Sequence, residues 1–281
     1  MKPVPKIAIT GWPVTHSRSP LVQGYWLEKY GIEGSYVKHA VEPEDAETFY
    51  QDLAKSGLSG CNVTVPYKEL AARSCKVLDD AAQKIGAANT LWLDENGDLN
   101  GANTDGLGFL GNLDQQIPDW DKKADVGVVL GAGGGARAVV WALLSRNVKK
   151  VHIFNRTVSK AQKIADEFGS ETIAHSWDKI GDFLGAADIL VNTTSLGMTG
   201  KDPLNIALKN LSQTAVVTDI VYSPLETDLL KSARERGNKT VDGLGMLLHQ
   251  AVPGFEKWFG LKPEVDEDLR KLILKDLGVD I

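Results

Sequence analysis

The sequence predicts an α/β protein of two domains, an N-terminal α/β domain and a second domain built on a doubly wound parallel sheet. Short apolar strands alternate with helical stretches over the first hundred residues, a pattern typical of sheets covered by helices. A polar stretch at 115–123 separates this series from a second one, which opens with a strand, a glycine-rich turn and a helix. With 281 residues, 43% of them hydrophobic, the chain can bury two cores.

Apolar periodicity and turn residues define the elements of the first series. Its expected elements are strands at Lys6–Thr10, Ser35–Val41, Asn62–Val65 and Thr90–Leu93, and helices at Pro20–Tyr30 and Pro43–Lys55. Ser19 before Pro20 should cap the first helix. Pro66 cannot donate a backbone hydrogen bond, so the third strand should end beside it and helical turns should follow Tyr67.

The second series has the pattern of a doubly wound sheet. Its expected strands are Val126–Leu130, Val151–Phe154, Ile189–Asn192, Val216–Asp219 and Lys239–Val241, with a helix after the first strand that runs to about Asn147. Between that strand and helix lies a glycine-rich turn made of Gly131, Ala132, Gly133, Gly134, Gly135 and Ala136. Such a turn lets backbone amides approach a pyrophosphate at the start of a helix, which predicts a Rossmann-type dinucleotide site.

The residues after the second strand of this series indicate which dinucleotide binds. NAD-binding domains usually place Asp or Glu there to bond the ribose 2′-hydroxyl, whereas this chain has Asn155, Arg156 and Thr157, followed by Lys160. Arg156 can pair with a 2′-phosphate and Lys160 adds positive charge, so the pattern favours NADP. Taken alone, the same tripeptide could be an exposed helix cap.

A run of polar residues at 62–68 predicts a ligand site in the first domain. Period-two alternation places Asn62 and Thr64 on one face of the strand, opposite Val63 and Val65. Lys68 follows at the strand's end, where an amine beside an amide and a hydroxyl suits a small polyhydroxylated ligand. Taken alone, Lys68 would be a solvated surface residue.

Two further segments strengthen this prediction. Asp105 lies in an Asn-Thr-Asp-Gly run that by itself is equally typical of a turn and helix cap. Near the N-terminus, Ser17 and Ser19 precede a predicted helix. Two hydroxyls beside free helix N–H groups form an anion site, and a carboxylate is its natural occupant.

The chain resembles the shikimate dehydrogenases, the family of enzymes that reduce 3-dehydroshikimate to shikimate with NADPH. The motifs that carry the resemblance occur in family order along the chain: His16 to Pro20, Asn62 to Lys68, Gly86 to Thr90, Asn103 to Gly106, Gly131 to Ala136, Asn155 to Thr157, and Asp242 to Gln250. One departure is Gln23, where family members usually carry His, and it lies outside the catalytic set.

The resemblance implies a role for each matching residue. Lys68 and Asp105 would form the catalytic pair, and which of them is the formal proton donor stays open. The expected substrate ligands are Ser17, Ser19 and Tyr222 at the carboxylate, and Asn62, Thr64, Asn89 and Gln250 at the ring hydroxyls. Thr193, Ser195, Gly243 and Met246 would join the glycine turn and the Asn155–Lys160 segment around NADP, although composition alone would place Met246 in a core.

The family pattern also implies domain bounds. The substrate-binding catalytic domain should comprise 1–105 and 244–281, with the C-terminal helices returning to it, and the NADP-binding domain 106–243. In that arrangement Leu247, Val252, Phe255 and Trp258 pack against the first domain.

Composition limits the partners. The net charge of −6 and the absence of a basic run argue against nucleic acid and anionic membrane. No apolar stretch approaches the length of a membrane span and the N-terminus lacks a secretory signal. Cys61 and Cys75 suit free thiols in a reducing compartment, and the five histidines lack metal-site spacing. We therefore expect a cytoplasmic enzyme, monomer or homodimer, without a metal.

Three other functions stay open. A dual quinate/shikimate dehydrogenase using NAD is disfavoured by Arg156 but not excluded. A methylenetetrahydrofolate dehydrogenase shares the nucleotide domain, but Ser17, Ser19 and Asp105 argue against it. A relative that senses shikimate without turnover is disfavoured because both Lys68 and Asp105 are present.

Overall fold

The computed structural model describes residues 4–279. The strands are β1 Lys6–Gly11, β2 Ser35–Ala40, β3 Gly60–Val63, β4 Val77–Leu78, β5 Thr90–Leu93, β6 Leu99–Ala102, β7 Val126–Leu130, β8 Lys150–Asn155, β9 Thr172–Ser176, β10 Ile189–Asn192, β11 Val216–Asp219 and β12 Lys239–Val241. The α-helices are α1 Ser19–Tyr30, α2 Ala46–Gln51, α3 Lys68–Ser74, α4 Asp80–Ile85, α5 Asp105–Gln116, α6 Gly134–Ser145, α7 Val158–Phe168, α8 Ile180–Phe183, α9 Asp228–Glu235, α10 Leu244–His249, α11 Val252–Phe259 and α12 Glu267–Asp276.

The chain divides into two compact units. One extends to Thr104 and resumes at Leu248, and the other runs from Asp105 to Leu247. The predicted fold class is confirmed, including the return of the C-terminal helices to the first unit. The predicted bounds of the substrate and NADP domains, 1–105 with 244–281 and 106–243, stay a prediction.

The first unit contains a mixed sheet with the strand order β2-β1-β3-β5-β6-β4. β1 pairs in parallel with β2 and β3, whereas β5 is antiparallel to both β3 and β6. The register sets Asn62 opposite Thr90, and Thr90 opposite Ala102. The segments that follow β3 and β6 and precede β5 therefore meet at one edge of the sheet.

The C-terminal helices complete the core of this unit. Trp258 of α11 donates its indole N–H to the carbonyl oxygen of Leu91 on β5, at 3.0 Å. A Cβ at Gly60 would lie 2.4 Å from the indole nitrogen, so glycine makes room for this ring. Phe255 is fully buried and packs edge-on against Trp26 of α1.

The second unit contains a parallel sheet with the order β12-β11-β10-β7-β8-β9, the doubly wound arrangement. Leu130 pairs with Asn192 and Asn192 with Asp219, so the carboxyl ends of β7, β10 and β11 are level. Ligands in such folds lie outside this edge of the sheet. Apolar residues of β7, β10 and β11 pack against those of α8 and α9 in one core cluster.

Local predictions were wrong at three places. The third strand was expected at Asn62–Val65 but ends at Val63. Beyond it Val65 is exposed, and its carbonyl accepts from Trp12 N–H in a loop contact that replaces strand pairing. The helix expected at Pro43–Lys55 is restricted to Ala46–Gln51 and a short 3₁₀ turn.

The third error concerns Ser19, which was expected to cap α1. Arg18 occupies the N-cap position and Ser19 is the first helical residue. The Ser19 side chain is buried and hydrogen-bonded to Tyr36, and its position inside the helix excludes it from the N-cap role.

Within residues 4–279, none of the helices combines the length and the apolar character that crossing a bilayer requires.

Candidate active site

The loop between β1 and α1 presents the two predicted carboxylate-binding serines. The Ser17 N–H donates to the carbonyl of Val14 at 3.1 Å, which closes a turn. The Ser19 N–H points back to the Ser17 hydroxyl oxygen at 3.3 Å. The structure thus brings Ser17 and Ser19 together at the start of a helix, where backbone N–H groups favour an anion.

Tyr36 of β2, which was not among the predicted site residues, links this loop to Asn62. Its hydroxyl donates to Asn62 Oδ1 at 2.6 Å and also bonds to Ser19. Burial raises the pKa of Tyr36 well above its ordinary value, so the phenol stays a neutral donor at physiological pH.

The side-chain amide of Asn62 is hydrogen-bonded to other groups of the protein. Its Nδ2 donates to the carbonyl of Asn89 at 3.0 Å and to Thr90 Oγ1 at 3.1 Å, and its side chain is 4% exposed. Both amide protons of Asn62 are therefore donated to neighbouring groups of the protein. The expectation that Asn62 binds a ring hydroxyl stays a prediction.

Asn89 and Gln250 meet although 161 residues separate them in sequence. Asn89 Oδ1 accepts from Thr104 N–H at 2.9 Å, and its Nδ2 lies 3.5 Å from Gln250 Oε1. The Thr104 hydroxyl donates to the Gln250 carbonyl at 2.7 Å. Thr104 was not among the predicted residues, although it lies between Asn103 and Asp105 in a motif that was.

Lys68 and Asp105 each begin a helix and are partly buried. The Lys68 carbonyl accepts from Ala88 N–H at 2.8 Å, which fixes the start of α3 against the segment that carries Asn89. Thr64 donates its N–H to Thr10 at 2.8 Å. A Cβ at Gly11 would lie 2.6 Å from Thr64 Cγ2, so the close approach of these two segments requires glycine.

The glycine turn of the second unit follows β7 as predicted. Gly131 has φ 107°, and a Cβ there would lie 2.8 Å from Thr193 Oγ1. Thr193 donates its hydroxyl to the Leu130 carbonyl at 2.6 Å, which brings two predicted cofactor segments together. Gly133 and Gly134 are exposed, and a Cβ at either would meet no described atom within 4 Å.

The segment after β8 presents exposed cationic side chains. Asn155 Nδ2 donates to the Thr157 carbonyl at 2.9 Å, which closes the turn before α7. Arg156, Thr157 and Lys160 are exposed. Thr157 stands at the N-cap of α7, but in the described structure its side chain makes no capping hydrogen bond, so capping alone does not account for it.

A buried carboxylate that was not among the predicted site residues ends the strand before Tyr222. Asp219 ends β11, and burial raises its pKa to about 6. Tyr222 follows three residues later and is partly buried, as is Met246, whereas Ser195 is exposed. The signal in the sequence was an acidic residue at the end of an apolar strand.

Gly243 is packed tightly behind the same segment. A Cβ at Gly243 would lie 2.4 Å from the Ile220 carbonyl oxygen. Close backbone packing thus requires glycine at this position, and the expected cofactor contact of Gly243 stays a prediction.

Comparison with protein families identifies three matching regions. Residues 9–91 match the shikimate dehydrogenase substrate binding domain, 113–228 match shikimate / quinate 5-dehydrogenase, and 243–273 match the shikimate 5′-dehydrogenase C-terminal domain. The shikimate dehydrogenase (NADP(+)) of Azorhizobium caulinodans is 53% identical over 97% of both chains. The chain belongs to the shikimate dehydrogenase family.

Solved structures of family members agree with this assignment. The Thermus thermophilus shikimate 5-dehydrogenase in complex with NADP(H) and shikimate has a TM-score of 0.84 and 33% identity, with 96% of this chain and 100% of that chain covered. The quinate dehydrogenase of Corynebacterium glutamicum in complex with NAD has a TM-score of 0.89 and 30% identity, with 97% and 99% covered. The predicted family, fold and enzyme class are confirmed.

Proposed function

We propose that the chain catalyses the reversible NADPH-dependent reduction of 3-dehydroshikimate to shikimate, a step in the biosynthesis of chorismate and aromatic amino acids. The observation that carries the proposal is the network in which Asn89, Thr104 and Gln250 hold one another. It joins amides and a hydroxyl from distant motifs beside the start of α3, where Lys68 lies. Such a set can satisfy several ring hydroxyls of one small ligand.

The residues of the second unit fit NADP. Packing within the described chain does not require glycine at Gly133 or Gly134, because a Cβ at either would meet no described atom within 4 Å. The absence of side chains there supports close approach of a pyrophosphate. Arg156 and Lys160 are exposed beside Thr157, where guanidinium and ammonium groups can bind a 2′-phosphate. The segment contains no carboxylate that would repel it.

Each predicted substrate-binding and catalytic residue has a defined task in this mechanism. Ser17 and Ser19 hold the substrate carboxylate, helped by Tyr222. Asn62, Thr64, Asn89 and Gln250 orient the ring hydroxyls, and Asn62 also keeps Asn89 in place. When bound, NADPH supplies the hydride. The Lys68–Asp105 pair supplies the proton to the new alkoxide oxygen or stabilises its charge.

An absorbance assay tests the proposal and the quinate alternative together. We expect the purified protein to reduce NADP when given shikimate. Its kcat/KM should be higher for shikimate than for quinate, and higher for NADP than for NAD. A protein that binds shikimate without turnover would instead be a sensor. Higher kcat/KM with quinate and NAD would favour the quinate dehydrogenase alternative, which the similarity to the Corynebacterium glutamicum enzyme keeps open.

We also propose a cytoplasmic location and a monomeric or homodimeric state. Cys61 and Cys75 are free thiols, and burial raises the pKa of each to about 12. Thiols of this kind are inert packing groups. Fractionation of cells and light scattering of the purified protein test the two statements.

A further inference from the structure

The carboxylate of Asp219 is a buried ionisable group that the proposed mechanism does not use. Asp219 ends β11 and is 1% exposed. A buried carboxylate disfavours the folded state unless its oxygens are well hydrogen-bonded. Its presence next to segments predicted to bind ligands therefore needs a structural or functional explanation.

Three donors converge on this carboxylate. Its Oδ1 accepts from Val221 N–H at 3.0 Å and from Asn192 Nδ2 at 2.9 Å, and its Oδ2 accepts from the Thr227 hydroxyl at 2.8 Å. An ionised carboxylate can accept all three because it has no proton to place. An amide would keep the shape but would turn one acceptor into a donor.

The first arm of this network runs through Asn192 into the segment 193–196. Asn192 is fully buried, and its Oδ1 accepts from both the N–H and the hydroxyl of Thr194, at 3.0 and 2.7 Å. Its Nδ2 also donates to the Leu196 carbonyl at 3.2 Å. Asp219 therefore fixes the side chain that shapes the segment containing Thr193 and Ser195.

The second arm runs directly into the segment 220–222. The bond from Val221 N–H to Asp219 sets the backbone one residue before Tyr222. Ile220 N–H donates to the Asn192 carbonyl at 3.0 Å, which ties this segment to the first. The bond to Thr227 leads elsewhere, because Thr227 caps α9.

We propose that Asp219 is a positioning residue that sets the segments 193–196 and 220–222 together, and thereby both the cofactor contacts of Thr193 and Ser195 and the substrate contact of Tyr222. The inference rests on the proposed function, because it takes NADP and shikimate as the ligands of these segments. Asp219 acts through Asn192 and Val221 and need not touch either ligand.

The test compares three variants by KM, kcat and melting temperature. Asp219→Asn weakens charge-assisted bonds to neutral ones, so it should raise the KM values for NADP and for shikimate together, by roughly threefold to tenfold. Asn192→Ala breaks the first arm and should raise the KM for NADP while leaving that for shikimate within about twofold. Thr227→Val removes the third donor and the cap of α9, so it should lower the melting temperature. Its KM values for NADP and shikimate should stay within about twofold of those of the wild type.

Two outcomes would overturn the proposal. One is an Asp219→Asn variant with unchanged KM values. The other is an equal rise in KM for Asp219→Asn and Thr227→Val, which would mean that general loosening of the unit is responsible. If the wild-type protein does not oxidise shikimate, the proposed function fails separately, and NADPH affinities from fluorescence titration of the same variants still decide whether Asp219 sets the cofactor segment.

Discussion

The candidate site residues of the two units differ in how they are held. In the first unit Asn62, Asn89 and Thr104 are buried and hydrogen-bonded to one another. In the second unit Lys160 is exposed on the first turn of α7, and Arg156 is exposed just before the N-cap residue Thr157. The proposed polyol-binding region (Asn62, Asn89 and Thr104) is thus buried, whereas the proposed phosphate-binding region (Arg156 and Lys160) is exposed.

This difference fits the chemistry of the two proposed ligands. Neutral hydroxyls are distinguished by the geometry of donors and acceptors, which a packed network keeps fixed. A phosphate is recognised by charge, which long side chains can supply from the surface. Changes in the first region should therefore affect both stability and activity, and changes in the second should affect binding alone.

The largest expected effect comes from Lys68, which is partly exposed although it borders the buried region. Lys68→Met should lower kcat by about 100- to 10,000-fold with a modest rise in KM, because an acid–base group is lost. Asp105→Asn should also lower kcat, and the double variant should be hardly slower than the more impaired single variant. Steady-state kinetics measures all three.

Lys84→Met is the matched control for Lys68, since Lys84 is an exposed lysine on α4 of the same unit. Its kcat should match that of the wild type. Near-normal turnover of Lys68→Met would assign Lys68 to the solvated surface, and multiplicative losses in the double variant would mean that Lys68 and Asp105 act independently.

The next largest effect tests the surface region. Arg156→Ala should raise the KM for NADP by roughly 10- to 100-fold, because a bond between two charged groups contributes about 1.5–3 kcal/mol. The KM for NAD and the melting temperature should hardly change. Lys163→Ala, an exposed cation further along α7, is the control. Equal losses with NADP and NAD would remove the phosphate role from Arg156.

Asn89 tests the interior region with a smaller effect. Asn89→Ala leaves the Thr104 N–H without its acceptor, so it should destabilise the protein by about 1–3 kcal/mol and also raise the KM for shikimate. Asn100→Ala removes a buried amide of the same sheet that donates to the Asp98 carbonyl, and it should leave the KM unchanged. A higher KM without loss of stability would contradict the coupling of structure and binding in this region.

The smallest expected effect concerns acid stability in the second unit. His152 Nδ1 and His175 Nε2 lie 2.9 Å apart, and burial lowers the pKa of both rings. The unfolded chain therefore takes up protons first, and stability should fall as pH drops below about 6.5. Asp219 opposes this, because its raised pKa of about 6 favours the folded state as pH falls towards 4.

His152→Gln should reduce the decrease in melting temperature between pH 7 and pH 5. The effect corresponds to less than about 1 kcal/mol in the free energy of unfolding, because half-exposed groups are screened by water. His16→Gln changes an exposed histidine of the first unit and should leave the pH profile unchanged. Identical profiles for His152→Gln and the wild type would assign the acid sensitivity to other groups.

Local pattern was sufficient for most of the secondary structure. The strands Thr90–Leu93, Val126–Leu130, Ile189–Asn192 and Val216–Asp219 have the bounds expected from apolar periodicity. The glycine turn follows its strand as predicted, since its conformation depends on residues that are adjacent in sequence. Family motifs add the candidate ligands, because each motif is itself a short local pattern.

Long-range contacts decided the rest. The sequence alone determined two α/β domains, a nucleotide turn and a set of polar residues at strand ends. Only the tertiary structure showed that Ser19 bonds to Tyr36 instead of capping α1 and that the Asn62 amide is hydrogen-bonded within the protein. It also showed that Asp219 accepts three hydrogen bonds. The reason is physical: periodicity reports the face on which a side chain lies, whereas the partner that satisfies a buried polar group is chosen by residues brought close only when the sheets assemble.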